Sequence, residues 1–154
     1  MLEVSAVLLG LATTLLIGLG VSCALKVVEF DIPAPEGFAT AEKWNRAFNV
    51  QGVKGAGLLG CFERILYFAS FWTGANIAIA GWLAFKLGSK WQTWQHIIKV
   101  PEDLATIDQL EKFHVLTQFG NRIMARFLIG SVYNVLCGLG GVAVGRFCLQ
   151  LLTR

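Results

Sequence analysis

Hydrophobic residues gather along this chain into three long runs that no charge interrupts, with the charged residues standing at their borders. Val4 to Leu25 is the first, 22 residues between Glu3 and Lys26. Ile65 to Phe85 is the second, 21 residues between Arg64 and Lys86, and Phe127 to Gly145 is the third, 19 residues between Arg126 and Arg146. A helix needs about 20 apolar residues to cross a hydrocarbon layer roughly 30 Å thick. A charge at mid-bilayer costs roughly 2.5–3.5 kcal/mol even on the lenient insertion scale, whereas at a border a long Lys or Arg stem reaches the headgroups. The pattern predicts an all-α integral membrane protein with three transmembrane helices, at about 4–25, 65–85 and 127–145. Residues 1–154 form a single membrane domain, with connections at 26–64 and 86–126. Trp82, Trp91 and Trp94 bracket the end of the second run as an interfacial belt would; Trp72, nearer its middle, does not fit. The first run has no basic segment before it and is long for a signal peptide, so it reads as a retained helix.

Both connections carry further helical signals. Asp31-Ile32-Pro33-Ala34-Pro35-Glu36-Gly37 holds two prolines in three residues and excludes a helix interior. Thr40 then caps a short helix through Asn49, with Trp44, Ala47 and Phe48 on one face. In the second connection Pro101 suits a first helical position, and Glu102 and Asp103 suit the positive end of the helix dipole. Leu104, Ile107, Leu110, Phe113 and Leu116 follow on one apolar face. This predicts a short amphipathic helix in each connection, with Gly120 as a hinge before the third span.

Small residues recur at helical spacing inside the runs. Ala6, Gly10, Thr14, Gly18 and Ser22 occupy every fourth position of the first. Gly130, Asn134 and Gly138 form one ridge of the third, and Gly141 and Gly145 another. In lipid, helices associate through close van der Waals contact, which small residues permit. The ridges serve either packing within one chain or self-association. Three short spans leave little room to satisfy them all internally, which favours a homo-oligomer or a subunit of a larger membrane complex.

Polar groups near the runs supply the candidate chemistry. Glu63 and Arg64 are adjacent, so on a helix they point about 100° apart and each seeks a partner elsewhere. A three-span topology puts Arg146 at the same face as Glu63, as part of a Glu–Arg clamp or, alternatively, of an ion path. Asn76 and Asn134 fall mid-span, where an interhelical amide bond fixes register. Lys86, Lys90, Arg122 and Arg126 cluster at the other face and could hold an anionic lipid headgroup. Cys23, Cys61 and Cys148 fall near one membrane face and read as small apolar filler. No Cys or His spacing supports a metal, no cofactor motif is present, and there is no nucleophile elbow, phosphate loop or paired-carboxylate site.

Composition narrows the function classes. The 154 residues are 55% hydrophobic and only 15% charged, against about 25% charged in an ordinary soluble domain. The net charge of +3 comes from residues at run borders, not from a basic face, so nucleic acid is excluded as a partner. Over three spans the basic residues divide six against seven, which gives no orientation. The chain therefore reads as a non-catalytic scaffold or accessory subunit, in a bacterial inner membrane or comparable bilayer, with lipid, copies of itself or other membrane subunits as partners. The alternatives are an oligomeric pore or channel, holin-like or a defence effector, and a small transporter. Three short spans resemble small holins in general form, but the strongly charged C-terminal tail of many holins is missing. An internal repeat and broken helices expected of a transporter are missing too.

Overall fold

A computed structural model of the chain describes residues 2–21, 25, 56–97 and 107–154. Among these, four helices carry the fold: α1 (Leu2–Ile17), α2 (Ala56–Thr73), α3 (Asn76–Ile97) and α4 (Ile107–Leu152). A single 3-10 turn, Gly18–Gly20, extends α1. The helix expected over 40–49 and the start of that expected from Pro101 lie outside the described residues.

The third apolar run lies within α4. Its segment Met124–Leu152 is long and apolar enough to cross a membrane, and Leu2–Gly18 is a shorter apolar helix. The whole of α4 runs about 69 Å at 1.5 Å per residue and passes Gly120 without a break. Gly120 is therefore no hinge: it is buried, and the helix ladder continues through it.

The second run does not form one helix. It turns back on itself at Gly74, whose φ of 78° lies in the left-handed region. Such a residue ends a helix cheaply only when it has no Cβ. The next helix begins at once, with the N–H of Asn76 donating to the Gly74 carbonyl (2.9 Å) and that of Ala78 to Ala75 (3.0 Å). Asn76, expected mid-span, thus stands exposed at the tip of a helical hairpin.

Contacts along α4 fix the directions of its neighbours. Glu63 meets Asn134, Tyr67 meets Gly138 and Trp72 meets Gly145, so α2 runs parallel to α4. Lys86 meets Ser131 and Phe127, so α3 returns antiparallel. Ala6 meets Gly145, Gly10 meets Gly141 and Tyr133 Oη donates to the Ile17 carbonyl (3.0 Å), so α1 is also antiparallel. Both long connections consequently leave from the Arg126 end of the bundle. The hairpin tip and both chain termini lie at the Arg146 end.

The small residues of α1 are spent on these contacts. Ala6, Gly10, Thr14 and Gly18 are buried, whereas Ser22 lies outside the described residues. A Cβ on Gly10 would stand 2.7 Å from the Gly141 carbonyl, and one on Gly145 would stand 2.8 Å from the Ala6 carbonyl. A Cβ on Gly141 would collide with Thr14, and one on Gly138 would stand 3.0 Å from the Phe68 amide nitrogen. Gly130 differs, since a Cβ there would make only ordinary contact with Leu25. Close backbone approach thus joins α1 to α4 and α4 to α2, within one chain.

Two glycines separate backbone strain from packing, because a Cβ on either Gly74 or Gly81 would meet nothing within 4 Å. Gly74→Ala should lower unfolding stability by about 1–2 kcal/mol through its left-handed φ alone. Gly81→Ala, inside α3, should raise it by roughly 0.5–1 kcal/mol. Thermal unfolding of the two variants in one detergent checks both signs.

Candidate functional site

A polar centre forms where the hairpin packs on α4, because the hairpin turn sets Glu63 and Lys86 opposite each other. Glu63 is 2% exposed, Arg64 8% and Asn134 6%. Lys86 Nζ lies 2.7 Å from Glu63 Oε1 and donates to Oε2 at 2.8 Å and to Ser131 Oγ at 3.0 Å. It also stands 4.9 Å from the centroid of the Phe127 ring, a distance at which the ring face attracts a cation. Glu63 Oε1 is held by charge contact with Lys86 and not by a well-aligned hydrogen bond.

Asn134 joins this pair to Arg64. Its Nδ2 donates to Glu63 Oε2 (2.9 Å), and its Oδ1 accepts from Arg64 Nη1 (3.2 Å). An amide can do both at once because it carries a donor and an acceptor on one planar group. Arg64 points away from Glu63, as adjacent helix residues must, and donates from Nη1 to the Gly18 carbonyl (3.4 Å). Its guanidinium lies against the bare Cα of Gly18, where a Cβ would collide with it. Gly18, the fourth member of the α1 ridge, therefore admits a charged group, not a second backbone.

A cavity of about 580 Å³ opens beside this centre. Glu63, Arg64, Lys86, Lys90 and Arg126 line it, with Asn134, Ser131, Gly130 and apolar side chains from the end of α1. Among the described residues one carboxylate thus faces four cationic side chains, and that carboxylate is already held by Lys86. Among the described residues no group of three His, Cys, Asp or Glu side chains stands together as a metal site would require.

Several expected placements change. Arg146 does not reach Glu63: it donates from Nη2 to the carbonyls of Phe71 (3.4 Å) and Trp72 (3.2 Å), the unpaired acceptors at the C-terminus of α2. Glu63 lies level with Asn134, about 18 Å along α4 from Arg146, so the clamp is geometrically closed to it. Lys86 leaves the expected headgroup cluster for Glu63, Lys90 and Arg126 line the cavity, and the side chain of Arg122 lies outside the described residues. Trp72, which misfitted an aromatic belt, comes to the Arg146 end of the bundle, its ring 6.0 Å from the Arg146 guanidinium carbon. Trp82 instead sits part-buried on α3, with its indole nitrogen buried and unpaired. Cys61 and Cys148 are free thiols at opposite ends, because α2 and α4 run parallel; Cys23 lies outside the described residues. The sequence does hold a signal for the Glu63–Lys86 pair, since the two residues sit nearly equidistant from Gly74.

The pair sets a stability test. Lys86→Met should cost about 3–5 kcal/mol, the penalty for stranding one partner of a buried pair, and the Glu63→Gln, Lys86→Met double variant should cost clearly less than the two single losses added. A double-mutant cycle of unfolding in detergent reads this directly, and strict additivity would show that the two side chains do not interact. No family model, no curated protein and no solved structure matches the chain.

Proposed function

We propose that this chain is an integral membrane protein that crosses the bilayer four times and serves as a non-catalytic scaffold or accessory subunit of a membrane complex. The observation that carries the reading is its inverted burial. Among the described residues Glu63, Arg64, Ser70, Ser131 and Asn134 are buried, while Leu8, Leu16, Leu19, Phe62, Ile77, Phe85, Val132, Leu136 and Phe147 are more than half exposed or close to it. Water would penalise that surface, since exposed apolar patches of this extent are rare on soluble monomers. Lipid accepts it, and polar side chains in a membrane turn to the interior of a bundle.

In this reading the hairpin replaces the single middle span by two crossings. The pass count becomes even, and the charge distribution changes with it. Of the described residues Lys90, Lys112, Arg122 and Arg126 fall to the side of the long connections and Arg146 and Arg154 to the other, and the sequence of the connections carries Lys26, Lys43, Arg46, Lys54 and Lys99. An excess of Lys and Arg marks the cytoplasmic side, so the connections are cytoplasmic and both termini are outside.

A scaffold is favoured over a pore by how the polar residues are used. Glu63 and Asn134 are bonded inside the bundle and Arg64 is packed on Gly18, which leaves none of them for an axis shared between copies. Gly10, Gly18, Gly138, Gly141 and Gly145 are likewise occupied within the chain. Partner surfaces are then the outward leucine faces and the two cytoplasmic connections, and the bilayer of choice remains a bacterial inner membrane or its equivalent.

The test combines location with leakage. The protein should stay in membranes washed with alkaline carbonate, a C-terminal reporter that fluoresces only in cytoplasm should stay dark, and vesicles holding the protein should retain a small dye. Mild-detergent purification should bring down other membrane chains. A bright C-terminal reporter would overturn the four-span orientation, and dye release would favour the pore.

A further inference from the structure

We propose that the cavity at the Arg126 end of the bundle binds a phosphate group, as a monoester or diester, carried on an anionic lipid or free in solution. The cavity has a built-in charge imbalance. Lys86 engages both oxygens of Glu63, so the carboxylate that the described residues place on its wall is neutralised. Arg64, more than nine-tenths buried, meets among the described residues only the neutral acceptors Asn134 Oδ1 and the Gly18 carbonyl. A buried cation without a counter-charge is expensive, and an incoming anion would relieve it.

The shape and chemistry of the walls narrow the anion. A guanidinium presents a planar fork of donors that matches phosphate oxygens, and a lysine adds a mobile point charge. Lys90 contributes such a charge: it is exposed at the wall and makes no hydrogen bond or ion pair among the described residues. At about 580 Å³ the space falls within the usual range for small-molecule sites, ample for a headgroup. Val21, Leu25 and Leu59 form an apolar side of the same cavity, suited to the first methylenes of an acyl chain. The site lies level with the start of the uncharged run on α4, where the membrane reading above puts headgroups; the proposal rests on that reading only for the source of the phosphate.

The experiment uses the full chain, purified in an uncharged detergent and stripped of lipid. Binding and thermal unfolding are measured with phosphatidylglycerol, phosphatidylcholine and inorganic phosphate. Phosphatidylglycerol should raise Tm and bind more tightly than phosphatidylcholine. Lys90→Gln should weaken that binding about fivefold, the change expected for one cation beside an anionic headgroup, with the Tm of the unliganded protein unchanged. Arg64→Gln should weaken it further, and because Lys90 is exposed and unpaired its variant decides the matter even if the Arg64 variant fails to fold. Protection by inorganic phosphate alone would support a soluble phosphate source, and protection only by the lipid would support a headgroup. Equal response to the two lipids with none to inorganic phosphate, or wild-type binding by Lys90→Gln, would overturn the proposal. Membrane retention after carbonate washing and the C-terminal reporter are independent of these readings, so a phosphate-blind protein that still spans the membrane sinks this inference alone.

Discussion

Lys86 reaches Glu63 because the chain reverses at Gly74, and the polarity of the whole bundle depends on that closure. A carboxylate in the middle of an apolar helix is costly unless charge and hydrogen bonds meet it. The reversal brings an ammonium group to both of its oxygens, and α4 supplies an amide that donates to the carboxylate and a hydroxyl that accepts from the ammonium. With Glu63 fixed in this way, its neighbour Arg64 is directed to the other side of α2. There the chain offers a glycine and a carbonyl dipole in place of a second acid. The cationic cavity is thus the geometric remainder of the ion pair: one acid shared among several bases leaves the bases in excess.

The second constraint is backbone proximity. α1 carries hardly any polar side chains with which to specify a partner, so its register on α4 is set by where backbone can touch backbone. Glycine costs roughly 0.5–1 kcal/mol in a helix relative to alanine, and van der Waals contact along a continuous ridge offsets it. The hydroxyl of Thr14 bonds back to the Gly10 carbonyl (3.0 Å) and fills the space beside Gly141, where a Cβ would collide with it. At the far end the Tyr133 hydroxyl donates to the Ile17 carbonyl just where α1 tightens into its 3-10 turn, so the helix end is satisfied from the side.

Helical character, the borders of the runs and the importance of the small residues were legible because each depends on local spacing. What the small residues touch was not, since a ridge reads the same whether it meets its own chain or another. The middle run misled for a definite reason. Hydropathy averages over Gly74, and a single left-handed residue contributes almost nothing to a mean while reversing the path of the chain. Once the path is reversed, Arg146 loses Glu63, Lys86 gains it, and Trp72 moves from the middle of a span to the end of the bundle. The cavity was legible only as a loose group of cations, because the roles of Arg64 and Lys86 exchange when the hairpin closes.

The ion pair has a consequence for how such a chain would enter a bilayer. Glu63 and Arg64 stand in the interior of α2 and Lys86 in that of α3, and in the membrane reading a lone passage of either helix would carry unmet charged groups through hydrocarbon. Joined by a turn of two residues, Gly74 and Ala75, the two arms can bring Lys86 to Glu63 before either is committed. Biogenesis would then proceed by units: α1 alone, the hairpin as one body, and α4 last, arriving with the asparagine that links the pair to Arg64.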